Sequence, residues 1–231
     1  CRLWSVQGTP GVPIGYGVNS VVMSTWYTAL SFPEHEPFAR RPDYRSMDLR
    51  NPDPRIDALL AVRCQLGERE AFDALIRRWA QPLRRHVARV AGDAHAADEL
   101  VQEIWLRVVQ GIGRLQEPEK FRSWLFGIAH RRLMDALRER YAAPATEPET
   151  AIDEFAVDEP DPDRELVARE LERGLSRLPA GERDVLSLFY LEELPLADVA
   201  QALAVPVGTV KSRLFRARRQ LRLQLTGDTH G

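Results

Sequence analysis

The sequence predicts an all-α protein of two small helical domains joined by a flexible acidic linker. Three observations predict it. Apolar residues recur at spacings of three and four from about Arg55 to Tyr141, and again from about Leu166 to Leu225. No stretch alternates apolar and polar residues as a half-buried strand would. Between the two blocks, Ala142–Asp163 holds eight acids, four prolines and no base, a composition that suits a solvated linker.

Composition sets the outer limits. A chain of 231 residues has room for one large or two small domains, and 44% hydrophobic with 29% charged residues describes a soluble globular protein richer than average in charge. Cys1 and Cys64 are too few and too far apart for a disulfide scaffold or a zinc site. A reducing cytoplasm fits that usage. The net charge of −2 hides a segregation: against the eight acids of the linker, Val205–Leu223 carries six bases and no acid. Local fields steer binding, so this polarity says more than the total.

Residues 1–46 do not read as a domain and are expected to be a disordered extension. Gly8, Pro10, Gly11, Pro13, Gly15 and Gly17 punctuate the segment, and no apolar period is sustained. It carries no charge between Leu3 and Pro33, which raises the question of a membrane or signal segment. Asn19, Ser20, Ser24, Thr25 and Thr28 interrupt every apolar run, and Arg2 alone could supply a basic n-region, so neither is expected. Met47 is a candidate start of the folded chain, and the first domain is placed at 47–141. Within it Phe72, Leu75, Ile76 and Trp79 form one helical face. Val101, Ile104, Trp105, Val108, Ile112 and Leu115 form another on a longer helix, which Gly111 and Gly113 loosen at its end. A further helix from about Phe121 to Arg140 buries Leu125, Ile128 and Ala129. The linker occupies 142–165 and the second domain 166–231.

The second domain ends in a recognisable order. One helix carries Val185, Leu188 and Phe189, and a short one carries Leu196, Val199, Ala200 and Leu203. A turn through Val205-Pro206-Val207-Gly208 then leads to a basic helix starting near Thr209, which is expected to be its N-cap. Short helix, tight turn and basic helix make a helix-turn-helix. On the last helix Val210, Leu214, Ala217 and Leu221 share the side that packs inward. Ser212, Arg216 and Arg219 stand opposite, Lys211 and Arg213 flank them, and Phe215 lies near the exposed face. Arginine reads guanine edges or clamps phosphate, serine does either, and an exposed aromatic suits a thymine methyl. The bland alternative, a solvated helix laced by i,i+4 ion pairs, lacks an acid within the helix to make them. DNA is the expected partner.

The middle of the chain offers two more surfaces. On the long helix, Glu99, Gln102, Glu103, Leu106 and Gln110 are left opposite the apolar face, an exposed leucine among acids and amides. On the next helix Trp124, Arg131, Asp135 and Arg138 fall along one stripe, with Lys120 and Arg122 at its start. An aromatic beside cations can stack an unpaired base and hold its backbone, although Trp124 taken alone reads equally as core.

The string GTVKSRLFRAR resembles the promoter-reading helix of sigma-seventy-type RNA polymerase factors, particularly the extracytoplasmic-function group, and LPAGERDVLSLFYLEELPLADVAQAL resembles the rest of that domain. The resemblance implies that Thr209, Lys211, Ser212, Arg213, Phe215, Arg216 and Arg219 meet the minus-thirty-five element as duplex. DELVQEIWLRV resembles the family segment that docks on the polymerase core, which gives Glu99, Gln102, Glu103 and Leu106 that role; Glu99 stands where the family usually has Asp. Gly113–Arg140 resembles the part that opens and reads the minus-ten element, which assigns Lys120, Arg122, Trp124, Arg131 and Arg138 to a melted strand. Arg131 stands where many members carry Asn, so promoter preference does not carry over from relatives. The likeness covers roughly two-thirds of the chain, with both halves in the right order. The linker of roughly twenty residues could reach about 70 Å fully extended. The implied partners are RNA polymerase core, promoter DNA and, as an option, an anti-sigma protein.

Catalysis is not expected. The sequence has no Gly-rich phosphate loop, no nucleophile elbow and no metal-spaced His/Cys/Asp cluster, and His86, His95 and His130 are scattered, reading as satisfied or surface residues. No cofactor, metal, small-molecule substrate or membrane is expected. The alternatives are a stand-alone helix-turn-helix repressor or activator, a response-regulator output domain for the C-terminal half alone, and a protein-only adaptor.

Overall fold

A computed structural model describes residues 53–142 and 170–227, and these are helical almost throughout. Expectations for residues 1–46 and for most of the linker lie outside the described residues. The helices are α1 (Pro54–Gln65), α2 (Arg69–Ala91), α3 (Ala94–Gly111), α4 (Phe121–Ala142), α5 (Ala180–Leu186), α6 (Leu196–Ala202) and α7 (Val207–Gly227), with residues 170–176 also helical.

Local sequence explains the boundaries. Asp53 caps α1, its Oδ1 accepting from the Arg55 N–H at 2.9 Å, and Pro54 follows where its missing N–H is no loss. Gly92 ends α2 in the left-handed region at φ 71°, its N–H donating to the Ala88 carbonyl. Asp93 then accepts from the Ala96 N–H at 3.1 Å as α3 begins. The long helix stops at Gly111, where the indole of Trp124 lies 3.1 Å from the place a Cβ would take. Short 3-10 turns at Ile112–Arg114 and Pro118–Lys120 lead into α4.

The core of the first half is built around α4. Phe121, Leu125, Phe126, Ala129 and Leu133 are wholly buried, and burial is unbroken from residue 125 to 129 because α1, α2, α3 and α6 all pack on this helix. Truncating Phe126 to alanine would cost about 3–5 kcal/mol at a site so enclosed. Asp57 of α1 is buried beneath α2, where it accepts from Arg78 Nε and, at 2.8 Å, from Trp79 Nε1. Burial pushes its carboxyl up, and these bonds oppose the push. Cys64 is a free, buried thiol whose pKa burial raises to about 12.

In the second half the apolar prediction for α7 holds: Val210, Leu214 and Ala217 are buried, with Leu221 partly so. Two details differ. The recognition helix starts at Val207, not Thr209. Thr209 donates its own N–H to the Pro206 carbonyl at 2.9 Å and stands inside the first turn, so it is not the N-cap. The helix carrying Val185 runs on into a π-helical turn, Ser187–Leu191, that leaves Phe189 only half buried.

The two halves lie against each other. All described residues belong to one compact unit, Pro42–Gly231, with α4 packed along α6 and α2 against α5. The turn between α6 and α7 is held by Ala204 at φ 52°, with Val205 N–H donating to the Ala200 carbonyl at 3.0 Å. A left-handed alanine costs about 1–2 kcal/mol, of which glycine's greater unfolded-state freedom would return part. Ala204→Gly should therefore stabilise the protein by about 0.5–1 kcal/mol, read as a higher denaturant midpoint. A lower midpoint would show that the methyl group is needed there.

Candidate nucleic-acid interface

The basic helix presents the face its sequence describes. Lys211, Ser212, Phe215, Arg216 and Arg219 are exposed, and Thr209 and Arg213 are partly so. Phe215 shows 64% of its surface to solvent, much for an aromatic in a folded protein. One expectation needs correction. An acid does reach this helix: Glu182 of α5 lies 3.3 Å from Arg216 Nε. A search confined to the helix could not see it. The arginine end of the pair is exposed while the glutamate end is largely covered, so Arg216 still faces solvent, where another anion can reach it.

The residues assigned to a melted strand are not gathered on one free surface. Lys120 Nζ donates to Asp198 Oδ1 of α6 at 2.8 Å, and that bond holds the ammonium's pKa above its ordinary value. Arg122 donates to the Glu192 carbonyl and lies over the Trp79 ring, 5.2 Å from its centroid. Both cations thus turn to the helix-turn-helix half. Trp124 is half buried against Phe121 and the end of α3. Arg131 is exposed; Arg138, also exposed, pairs with Asp135 at 2.8 Å.

Arg138 and Asp135 rim an open cleft of about 360 Å³ that Glu103, Arg107, Arg132 and Glu139 complete. Through Glu103 this cleft joins the acidic strip of α3. Glu99, Gln102 and Leu106 are exposed there as expected. Glu103 is not free: Arg132 of α4 grips both its oxygens, and this bond pulls its carboxyl below the usual range. Of the strip's residues, Glu103 is thus tied into the fold by α4.

Sequence reasoning missed the polar centre where the halves meet. Asp184 of α5 is wholly buried. His130 of α4 bonds its Oδ2 through Nδ1 at 2.6 Å, and His86 of α2 places Nε2 3.2 Å from Oδ1, within ion-pair range but without the alignment of a hydrogen bond. Burial alone would push this carboxyl up; the contacts with His130 and His86 outweigh it and take the pKa down to about 2. Around it, Ser187 Oγ meets His86 Nδ1 at 3.0 Å and accepts from Arg89, which also pairs with Glu172. Arg183 donates to three carbonyls, of Arg89, Ser176 and Leu178. The histidines stand 44 positions apart, and Asp184 lies 54 beyond the second. No sequence spacing announces them.

Among the described residues no group of His, Cys, Asp and Glu could hold a metal ion, and no helix is long and apolar enough to cross a membrane.

A helix-turn-helix with a solvent-facing basic helix, attached to a second helical domain bearing cations and a base-sized aromatic, defines a DNA-binding regulator of two parts. Comparison with known proteins narrows the class. Residues 75–142 match the family model for sigma-70 region 2, and residues 168–221 match that for sigma-70 region 4. The chain is 31% identical over 170 residues to the ECF RNA polymerase sigma factor SigW of Bacillus subtilis, covering 69% of this chain and 91% of that protein. The solved structure of CnrH in complex with the cytosolic domain of CnrY matches with a TM-score of 0.57 at 26% identity, over 75% of this chain and 99% of that one. The sigma factor RpoE of Bartonella quintana, solved with the anti-sigma factor NepR, shares the fold, with a TM-score of 0.58 at 21% identity over 67% and 96% of the two chains. The chain belongs to the sigma-70 family, among the extracytoplasmic-function RNA polymerase sigma factors. That membership sets aside the stand-alone repressor, the response-regulator output domain and the protein-only adaptor.

The buried carboxylate has a measurable consequence. Because the folded pKa lies below the ordinary 3.8, the stabilisation is complete above that value and is lost as pH falls through it towards about 2. The stability advantage of the wild-type protein over Asp184→Asn should therefore shrink across that acid window, as followed by denaturant melts. A gap that stays constant down to about pH 2 would refute the assigned charge.

Proposed function

We propose that this sigma factor works in the cytoplasm by binding, not catalysis, docking on RNA polymerase core through one face of α3 and reading two promoter elements through α7 and α4. The observation that carries the reading is the pairing of an exposed basic recognition helix with a separate exposed strip of Glu99, Gln102 and Leu106 on the other half of the chain. Two binding faces on two domains suit a protein that must hold an enzyme and its template together. Domain bounds of 47–141 and 166–231, joined by an acidic linker at 142–165, fit that division.

On α7, Lys211, Ser212, Arg213, Arg216 and Arg219 supply contacts to phosphates and base edges in duplex DNA, with Thr209 at the N-terminal turn and Phe215 against a thymine methyl. On α4 and the turn before it, Lys120, Arg122, Arg131 and Arg138 hold the backbone of a melted strand, and Trp124 offers a ring for stacking. Glu103 contributes to the core-binding face together with its partner Arg132. The complex of RpoE with NepR supports an anti-sigma protein as a further partner.

Two measurements test the reading. A Gln102→Ala, Leu106→Asp double variant should keep its melting temperature, since both residues are exposed, yet lose about 2 kcal/mol or more of core affinity in a pull-down titration. Undiminished core binding would remove α3 from the interface. Separately, Arg216→Ala should weaken binding to the upstream duplex by about 1–3 kcal/mol and relax preference at one base pair. An equal loss on every sequence would make Arg216 a phosphate contact instead.

A further inference from the structure

We infer that Glu182 of α5 is a specificity-determining residue, one that makes Arg216 a reader of a single base pair and not a clamp on phosphate. The inference deepens the reading given above and rests on its assignment of Arg216 to the duplex. Of the cations given that role, Lys211, Arg213 and Arg219 make no ion pair among the described residues. Arg216 is met at Nε by Glu182 Oε1 at 3.3 Å. A free cation on a helix follows the nearest phosphate. One held from behind by a carboxylate has a fixed direction, and part of its charge is already answered. A guanidinium engaged at Nε keeps its Nη1 and Nη2 end, the two-pronged edge that fits N7 and O6 of guanine.

Glu182 stands on a rigid mount. It lies in the first turn of α5, which packs along α7. Its neighbours fix that turn: Arg183 donates to the carbonyls of Arg89, Ser176 and Leu178, and Asp184 is wholly buried. The Glu182 side chain is only 13% exposed against 60% for Arg216, and its Oε2 is buried with no hydrogen-bond partner among the described residues. An acid that served only the dipole of α5 could do so from water. Covering a carboxylate is unfavourable unless a cation answers it, and here the cation is Arg216.

Two effects on recognition follow from this geometry. An arginine ordered before DNA arrives loses less freedom on docking, a gain realised in full only where both prongs find acceptors. The charge of Glu182 also repels a phosphate that approaches Arg216, which weakens the fallback contact open to a long, mobile arginine. Discrimination is a difference between two affinities, and a carboxylate behind the reading group widens it from both sides. Lys211, Arg213 and Arg219, with no acid behind them, are left to supply the contacts that all sequences offer.

The test uses holoenzyme assembled from the full-length chain and core, on promoters randomised in the upstream element. Arg216→Ala first identifies the base pair that this residue reads. At that base pair Glu182→Ala should lose about fivefold or more of the wild-type preference. The loss should come mainly from tighter binding of mismatched promoters, with a salt slope steeper by about one phosphate contact. Glu182→Gln, which keeps an oxygen for Nε but not the charge, should bind mismatched promoters more tightly too, yet retain more of the preference than Glu182→Ala. Adding Glu182→Ala to Arg216→Ala should change the preference no further. Thermal melts accompany each variant, and if Glu182→Ala fails to fold, the isosteric Glu182→Gln decides: mismatched promoters bound no more tightly than by wild type would sink the inference. So would an intact preference in Glu182→Ala, a loss equal on every sequence, or an effect that persists without Arg216. A preference lost in Arg216→Ala but kept in Glu182→Ala strikes the inference alone. If Arg216→Ala leaves every preference in place, the assignment of Arg216 to a base falls, and the inference with it.

Discussion

Everything that is unusual about this molecule converges on one buried carboxylate. Asp184 sits where water cannot reach it, and it is tolerable there because His130 and His86 approach from two different helices of the other half. Remove that arrangement and α5 has no electrostatic reason to lie on α2 and α4. The placement of α6 follows, since it is tied to α5 through the π-helical turn. So, in turn, does the covering of Lys120 and Arg122. One ionised group, satisfied across a seam, thereby helps set the relative position of the two halves.

The chemistry of the seam differs from that of the two cores it joins. Inside the first half, Phe121, Phe126, Leu125 and Leu133 are wholly buried, and inside the second, Val210, Leu214 and Ala217 are buried likewise. Those are contacts made once, during folding. Between the halves, nearly every named contact is a hydrogen bond or an ion pair.

The sequence was legible wherever a signal was local. Helical periodicity located α2, α3, α4 and α7, because each buries one continuous stripe, broadest in the N-terminal half of α4. Gly111 marked the end of the long helix, and the charge pattern found the exposed face of α7. What escaped was everything made by residues distant in the chain. The Glu182 contact to Arg216 comes from another helix, as does the grip of Arg132 on Glu103. His86 and His130 looked scattered because their common partner lies in the other half. Thr209 was misplaced for a different reason: as a good capping residue beside a glycine it competes with Pro206, whose fixed φ starts the helix earlier. Boundaries decided by two adjacent candidates are the least readable feature of a sequence.

The buried thiol bears on how a chain of this kind could sense its surroundings. Burial pushes the Cys64 thiol up to about 12, so at neutral pH it stays protonated, and the same burial keeps peroxides from it. Oxidative chemistry at Cys64 is therefore closed as an input. A redox stimulus acting on this factor has to be received by another group or another chain and delivered as a change in binding.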